Sequence, residues 1–247
     1  MSVFRLILRC ALAGVVCIST ATLSPGQQHV VAERYVVASG HREATEIGTQ
    51  VLREGGNVVD AAIATSFALG VAEPYGSGLG GKLVMLYREA ATGKVYSIVA
   101  LCPSSAELDD LEFIQLSSNE RKYGYHAVGV PGLVAGLGEA HRRWGSTDWV
   151  KLVKPAADLA DRGITIDATM QEMFKPKVNV LRRDAEAAAI YLVNGEAPPV
   201  GAVLKNADLA DTLRTIALGG SEAFYEGRIA EQIVDAAQNK GSPLSLD

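Results

Sequence analysis

Gly76-Ser77-Gly78-Leu79-Gly80-Gly81-Lys82 concentrates the residue types that most often carry chemistry in a loop. Three chemistries could use it. Gly76, Gly78 and Gly81 satisfy the GxGxxG spacing that lets a backbone approach a dinucleotide pyrophosphate. That use needs a strand before the loop and a helix after it, so that phosphate meets a helix N-terminus. Here the apolar pattern predicts a helix before and a strand after. Gly76, Gly81 and Lys82 approach the phosphate-loop spacing, but Leu83 stands where Ser or Thr must ligate Mg²⁺. Ser77 is not on a nucleophile elbow, because Tyr75 occupies the first glycine position. Two readings remain: a tight helix-to-strand connection, or a backbone-lined pocket wall.

Other reactive side chains are sparse. Cys10, Cys17 and Cys102 are the three cysteines. Cys102 has no histidine near it in sequence, so the default is a small buried residue and not a reactive thiol. His29, His41, His126 and His141 are scattered without metal-ligand spacing, so no metal site and no cofactor are expected. Asp60 reads as a helix-start residue or as a site-organising carboxylate.

The 247 residues are 48% hydrophobic and 21% charged, which is globular composition with enough chain for a sizeable core. Net charge is -5, and no Lys/Arg run exceeds two residues, which argues against nucleic acid as a partner.

The elements that must position the loop are legible. Residues 42–54 carry a helical stripe, and Gly55-Gly56 stops it. Asn57 can cap the next helix, with Asp60 in the capping-box position. Val58 to about Ala72 is apolar nearly all round, so it belongs inside a layered α/β interior. Leu83–Arg88 and Lys94–Ala100 alternate as two strands around Thr92-Gly93. Tyr35–Ser39 reads as a short strand. After about residue 130 the chain is helical. Pro131 fits a first turn, and further helices fall at 148–161, 167–174, 208–218 and 228–238. Trp144 and Trp149 read as packing residues around a helix–helix connection.

Residues 1–23 read as an export signal. Arg5 and Arg9 give a basic start, and Cys10–Leu23 carries no charge. As a helix that stretch spans ~21 Å, short of a ~30 Å bilayer core. Ser19-Thr20-Ala21 supplies the small residues of a cleavage site, and an uncleaved anchor is the alternative. Residues 24–34 form a leader. The expectation is export to the periplasm or the exterior, with no membrane contact after signal removal.

Glu54-Gly55-Gly56-Asn57-Val58-Val59-Asp60-Ala61-Ala62 resembles the signature opening of γ-glutamyltranspeptidases. Glu73-Pro74, Ser77–Gly81, Met85-Leu86-Tyr87, Val128–Leu137, Ala140-His141, Trp144-Gly145, Pro155-Ala156 and Phe224–Gly227 continue it in the family's order, over residues 35–247. The resemblance implies an α+β fold, a partial αββα sandwich of the N-terminal-nucleophile hydrolases. It makes residues 35–247 a helix-rich large-subunit region, with the catalytic half beyond Asp247. The family's nucleophile is the threonine that begins the small subunit. Its free α-amine, of ordinary pKa ~7.7–8.0, serves as base. No catalytic residue is therefore expected here, and the implied partners are the small-subunit segment and a γ-glutamyl or other acyl-amide small molecule.

One departure from the family bears on substrate. γ-Glutamyl-specific members carry an arginine after the hairpin's second strand that grips the substrate α-carboxylate. Leu101 stands at that place, and Ser97–Ser105 has no basic residue. A charge-assisted contact contributes ~1.5–3 kcal/mol, roughly 10- to 150-fold in affinity. Leu101, Cys102 and Ser104 are the candidate substrate contacts, and Lys82 is a substitute cation or a solvated surface lysine. Three functions follow: a γ-glutamyltransferase-like hydrolase, a related amidohydrolase with a different acyl group, or a non-catalytic relic.

Overall fold

The structure is a computed structural model that describes residues 31–246. The export signal read at 1–23, and the leader up to residue 30, lie outside the described residues. Within the unit Val36–Asp247, α1 (Arg42–Arg53) and α2 (Val58–Ala72) lead to the hairpin β1 (Leu83–Arg88) and β2 (Val95–Ala100). An excursion with α3 (Asp110–Gln115) and α4 (Glu120–Tyr123) precedes α5 (Leu133–Trp144) and α6 (Trp149–Arg162). Then come β3 (Ile164–Thr165), α7 (Ala168–Phe174), α8 (Val178–Leu181), α9 (Ala185–Tyr191), β4 (Val203–Leu204), α10 (Ala207–Gly219) and α11 (Arg228–Gln238).

Helix α2 is the centre. It packs on α1, α5 and α6, and α6 packs on α10. Ile63, Ala64, Phe67 and Ala68 have no exposed surface. A helix contacted from several sides cannot keep a polar face, which explains its composition. Burying Ile63 and Phe67 stabilises by about 1.5–3 kcal/mol each. The Phe67 ring meets Trp149 edge-on at 5.5 Å, and Trp149 Nε1 donates to the Ile216 carbonyl at 3.0 Å. The tryptophans thus pack at the α5–α6 connection as the sequence implied. The alanines allow close approach, and Gly48 of α1 comes closest: a Cβ there would lie 2.0 Å from Thr65 Oγ1 and 3.2 Å from the Ala61 carbonyl.

The start of α2 is a polar node. Asn57 Oδ1 accepts from the Val59 and Asp60 amides at 2.8 and 3.0 Å, and Asp60 Oδ2 accepts from the Asn57 amide at 2.9 Å. The shorter acid therefore completes the capping box. Asp60 also reaches the α5–α6 turn. Its Oδ1 accepts from the Ser146 amide at 3.0 Å, and its Oδ2 from the hydroxyls of Ser146 at 2.6 Å and Thr147 at 3.0 Å. Asn57 Nδ2 donates to the Trp144 carbonyl at 2.7 Å. Burial alone would raise the Asp60 pKa, but the bonds from Ser146, Asn57 and Thr147 outweigh it and hold the carboxyl below its ordinary value.

The hairpin lies on α5. Leu83, Met85, Tyr87, Tyr96, Ile98 and Ala100 turn inward, while Val84, Leu86, Val95 and Val99 are 62–75% exposed. Gly136 permits the contact, since a Cβ would stand 2.7 Å from Leu83 Cδ2.

Three expectations change. Tyr35–Ser39 is not a strand, because no described segment offers it a ladder partner. Two strands lie in the part read as helical: Ile164 pairs Leu204 and Thr165 pairs Val203 across the intervening residues 166–202, which no local pattern encodes. Helix α5 begins at Leu133, after Pro131, because the Pro131 carbonyl and the Gly132 amide are engaged elsewhere.

Two outcomes follow from this packing. Asp60→Asn puts an amide among donors that need an acceptor, and urea denaturation should show a loss of about 3 kcal/mol. A depressed folded-state pKa contributes stability that is present above the unfolded value of ~3.9 and is lost as pH falls through the lower folded value. The native chain should therefore lose stability below about pH 4 more steeply than Asp60→Asn. Separately, Gly48→Ala should destabilise by about 1–3 kcal/mol despite alanine's better helix propensity. Adding Thr65→Ala should recover much of that, because it removes a buried hydroxyl with no hydrogen-bond partner among the described residues.

Candidate functional site

Three segments meet at the α5 end of the hairpin. The Gly81 carbonyl accepts from the amides of Gly132 at 3.0 Å and Leu133 at 2.9 Å, so the glycine loop is tied to the start of α5. The Pro103 carbonyl accepts from the Val130 amide at 2.9 Å. Cys102 Sγ donates to the Gly80 carbonyl at 3.8 Å. Main chain packs on main chain here. A Cβ on Gly129 would sit 2.7 Å from the Pro103 carbonyl oxygen, and one on Gly132 would sit 2.2 Å from that of Leu101. Glycine is a steric requirement at both positions.

The loop follows α2 and precedes β1, which is the order that excludes dinucleotide and P-loop use. Gly76, Gly78 and Gly80 have no positive φ, and a Cβ on any of them would meet nothing within 4 Å. Among the described residues neither backbone conformation nor crowding calls for glycine there. Their backbone is open to approach from outside the chain.

Beside this junction lies a cavity of about 680 Å³, walled by Leu79, Gly80, Cys102, Gly129, Pro131 and Phe224 among others. Its full lining contains no charged side chain, and Thr212 and Gln232 are its polar members. Of the four sequence candidates, Cys102 alone is in this wall. Leu101 is 53% exposed and continues the outward alternation of Val95, Ser97 and Val99. Ser104 and Lys82 are also exposed. The four therefore do not converge on one cavity, because residues 101 and 102 point to opposite sides of an extended chain.

A second concavity, of about 760 Å³, is lined by Tyr123, Tyr125, Asp184, Tyr191 and Lys240 among others. Tyr125 Oη donates to Asp184 Oδ2 at 2.6 Å, and Lys240 Nζ donates to both, at 2.8 and 2.5 Å. Lys240 and Tyr125 hold the Asp184 carboxyl well below the usual carboxylate range, and the same contacts raise Lys240. This triad is internally satisfied and clasps the excursion before α5 to the starts of α9 and the chain after α11. Among the described residues no cluster of three or more His, Cys, Asp or Glu side chains offers a metal site.

Two of the described histidines have local roles. His41 caps α1 through the Glu43 amide at 3.2 Å, and His141 Nε2 pairs with the Thr147 carbonyl at 2.8 Å. Sequence reasoning missed Tyr225. Its hydroxyl donates to the Pro131 carbonyl at 2.7 Å and accepts from the Ala135 amide at 2.9 Å. Burial raises its pKa, the Ala135 amide lowers it and the nearby Cys102 raises it, for a net increase. Its place in the Phe224–Gly227 block was the only available signal, since the bonds span 90 and 94 positions.

Residues 44–247 match the family described as gamma-glutamyltranspeptidase. A glutathione hydrolase proenzyme of Bacillus subtilis strain 168 is 37% identical over 215 residues, which is 85% of this chain and 36% of that protein. The Helicobacter pylori gamma-glutamyltranspeptidase structure superposes with a TM-score of 0.82 at 28% identity, over 88% of this chain and 64% of that one. A cephalosporin acylase from Bacillus halodurans superposes with a TM-score of 0.77 at 27% identity, over 91% and 44%. The chain thus spans little more than a third of the curated relative's length. Its helix-rich architecture is the corresponding part of the N-terminal-nucleophile hydrolase fold. The chain belongs to the gamma-glutamyltranspeptidase family.

Proposed function

We propose that this chain is the large-subunit region of an exported γ-glutamyltransferase-like amide hydrolase. It works with a small-subunit segment that supplies the nucleophilic threonine. That hydroxyl adds to the acyl carbonyl, the amine leaves with a proton, and water or an acceptor amine releases the acyl group from the ester. This chain's part is to shape the acyl site and support the sheet. The junction of the glycine loop, Leu101–Ser105 and Val128–Gly132 beside a cavity, within this family, is the observation that carries the reading. Cleavage of a γ-glutamyl anilide by the chain co-produced with its small-subunit segment tests it; no turnover by a correctly processed complex would count against γ-glutamyl donors.

A second reading names a different acyl group. The cavity lining holds no charge, the 101–105 segment holds no cation, and one neighbour in structure is a cephalosporin acylase. These favour an acyl group without a free α-carboxylate. Leu101 lies outside that cavity, on the outward side of the chain after β2, so its carboxylate role rests on the family resemblance alone; on that resemblance Leu101→Arg should tighten γ-glutamyl donors by about 10-fold or more in KM. An unchanged KM would remove Leu101 from the carboxylate subsite.

The hairpin's outer face supports the partner. Val84, Leu86, Val95 and Val99 form an exposed apolar surface on a two-stranded sheet, and such surfaces attract other chains. Produced alone, the chain should self-associate in light scattering. Val84→Lys with Leu86→Glu should reduce that association while weakening capture of the small-subunit segment.

A further inference from the structure

Helix α5 begins without a side-chain cap of its own, because its N-cap residue is Gly132. The first-turn amides of a helix have no partner within it and need acceptors from elsewhere. Two come from distant chain. The Gly81 carbonyl takes the Gly132 and Leu133 amides. The Tyr225 hydroxyl takes the Ala135 amide and returns its own hydrogen to the Pro131 carbonyl. Pro131 and Gly80 are both walls of the charge-free cavity, and Phe224, next to Tyr225, is a third.

We propose that Tyr225 is a positioning residue for the acyl site, acting as a remote cap that holds the α5 start, Pro131 and the glycine loop in one arrangement. The assignment of the cavity to acyl binding rests on the function proposed above; the capping role does not. Gly132 must lack a side chain because the Leu101 carbonyl packs against it. A Ser, Thr or Asp cap is therefore excluded at the very position that would carry one. The phenol supplies from across the fold what the local chain cannot. A phenol also suits the task because one oxygen can donate and accept at once. Tyr225 is not among the residues lining the cavity, and its effect passes through Pro131 and the α5 start that Gly81 also holds.

Tyr225→Phe keeps the ring and deletes both hydrogen bonds. In the chain itself, alkylation of Cys102, followed by peptide mass mapping, should accelerate about 5-fold or more, because its Gly80 partner is held through the same junction. The urea midpoint should move little. A labelling rate unchanged, or rising only as far as global stability falls, overturns the proposal. A measurement needing no variant stands beside it: in the unmodified chain the Ala135 amide should exchange with deuterium at least ~10-fold more slowly than a solvent-exposed first-turn amide. Free exchange there would also overturn it. In the completed enzyme, Tyr225→Phe should raise KM about 5-fold with kcat within about 2-fold. An equal loss in kcat alone would make the role catalytic or merely structural. Should the unmodified enzyme turn over no γ-glutamyl anilide, the substrate reading fails, while the labelling and exchange results still decide the cap.

Discussion

The buried carboxylate of Asp60 is the constraint on which the helical core depends. It is wholly buried, and its oxygens receive donors from Asn57, Ser146 and Thr147. A buried charge is tolerated only when hydrogen bonds replace the water it has lost. Satisfying this one therefore requires that the start of α2 and the α5–α6 turn meet in one geometry. That meeting places the apolar body of α2 between α1, α5 and α6. It also sets the direction of α5, whose far end carries the candidate site.

At that far end, main chain replaces side chain as the organising material. Gly81, Pro103 and Pro131 offer carbonyls, and Gly132, Leu133, Val130 and Tyr225 supply the donors. Contacts this close exclude Cβ atoms at Gly129 and Gly132. The result is a wall of fixed backbone beside a neutral cavity. Under the function proposed above, such a wall would orient an acyl group without adding a competing charge.

The two faces of the hairpin are both apolar but differ in what covers them. The inner face is closed by α5 through Gly136, Leu83 and Ala100. The outer face repeats the same period with Val84, Leu86 and Val99 and remains uncovered. A sheet apolar on both sides is the pattern of an interior layer, not of a surface. The surface ion pairs, such as Arg42–Glu46 and Lys154–Asp158, are exposed and contribute little to this arrangement.

The amino-acid order by itself determined the local elements. Helix α2 runs over the residues that the Asn57–Asp60 cap and the apolar run implied, because capping and periodicity are local physics. The hairpin strands, α6, α7, α10 and α11 were legible for the same reason, and ordered motif blocks carried the family. Tertiary structure alone decided what each polar group touches. Asp60 looked like a cap, and only folding brought Ser146 and Thr147 to its other lone pairs. Tyr225 looked like one aromatic among eight tyrosines until the chain placed it over Pro131 and Ala135. Leu101 and Cys102 looked like one contact patch, yet the pleat turned them to opposite sides. The β3–β4 pair likewise needed distant partners, for strand pairing and remote caps are long-range interactions that no spacing along the chain can encode.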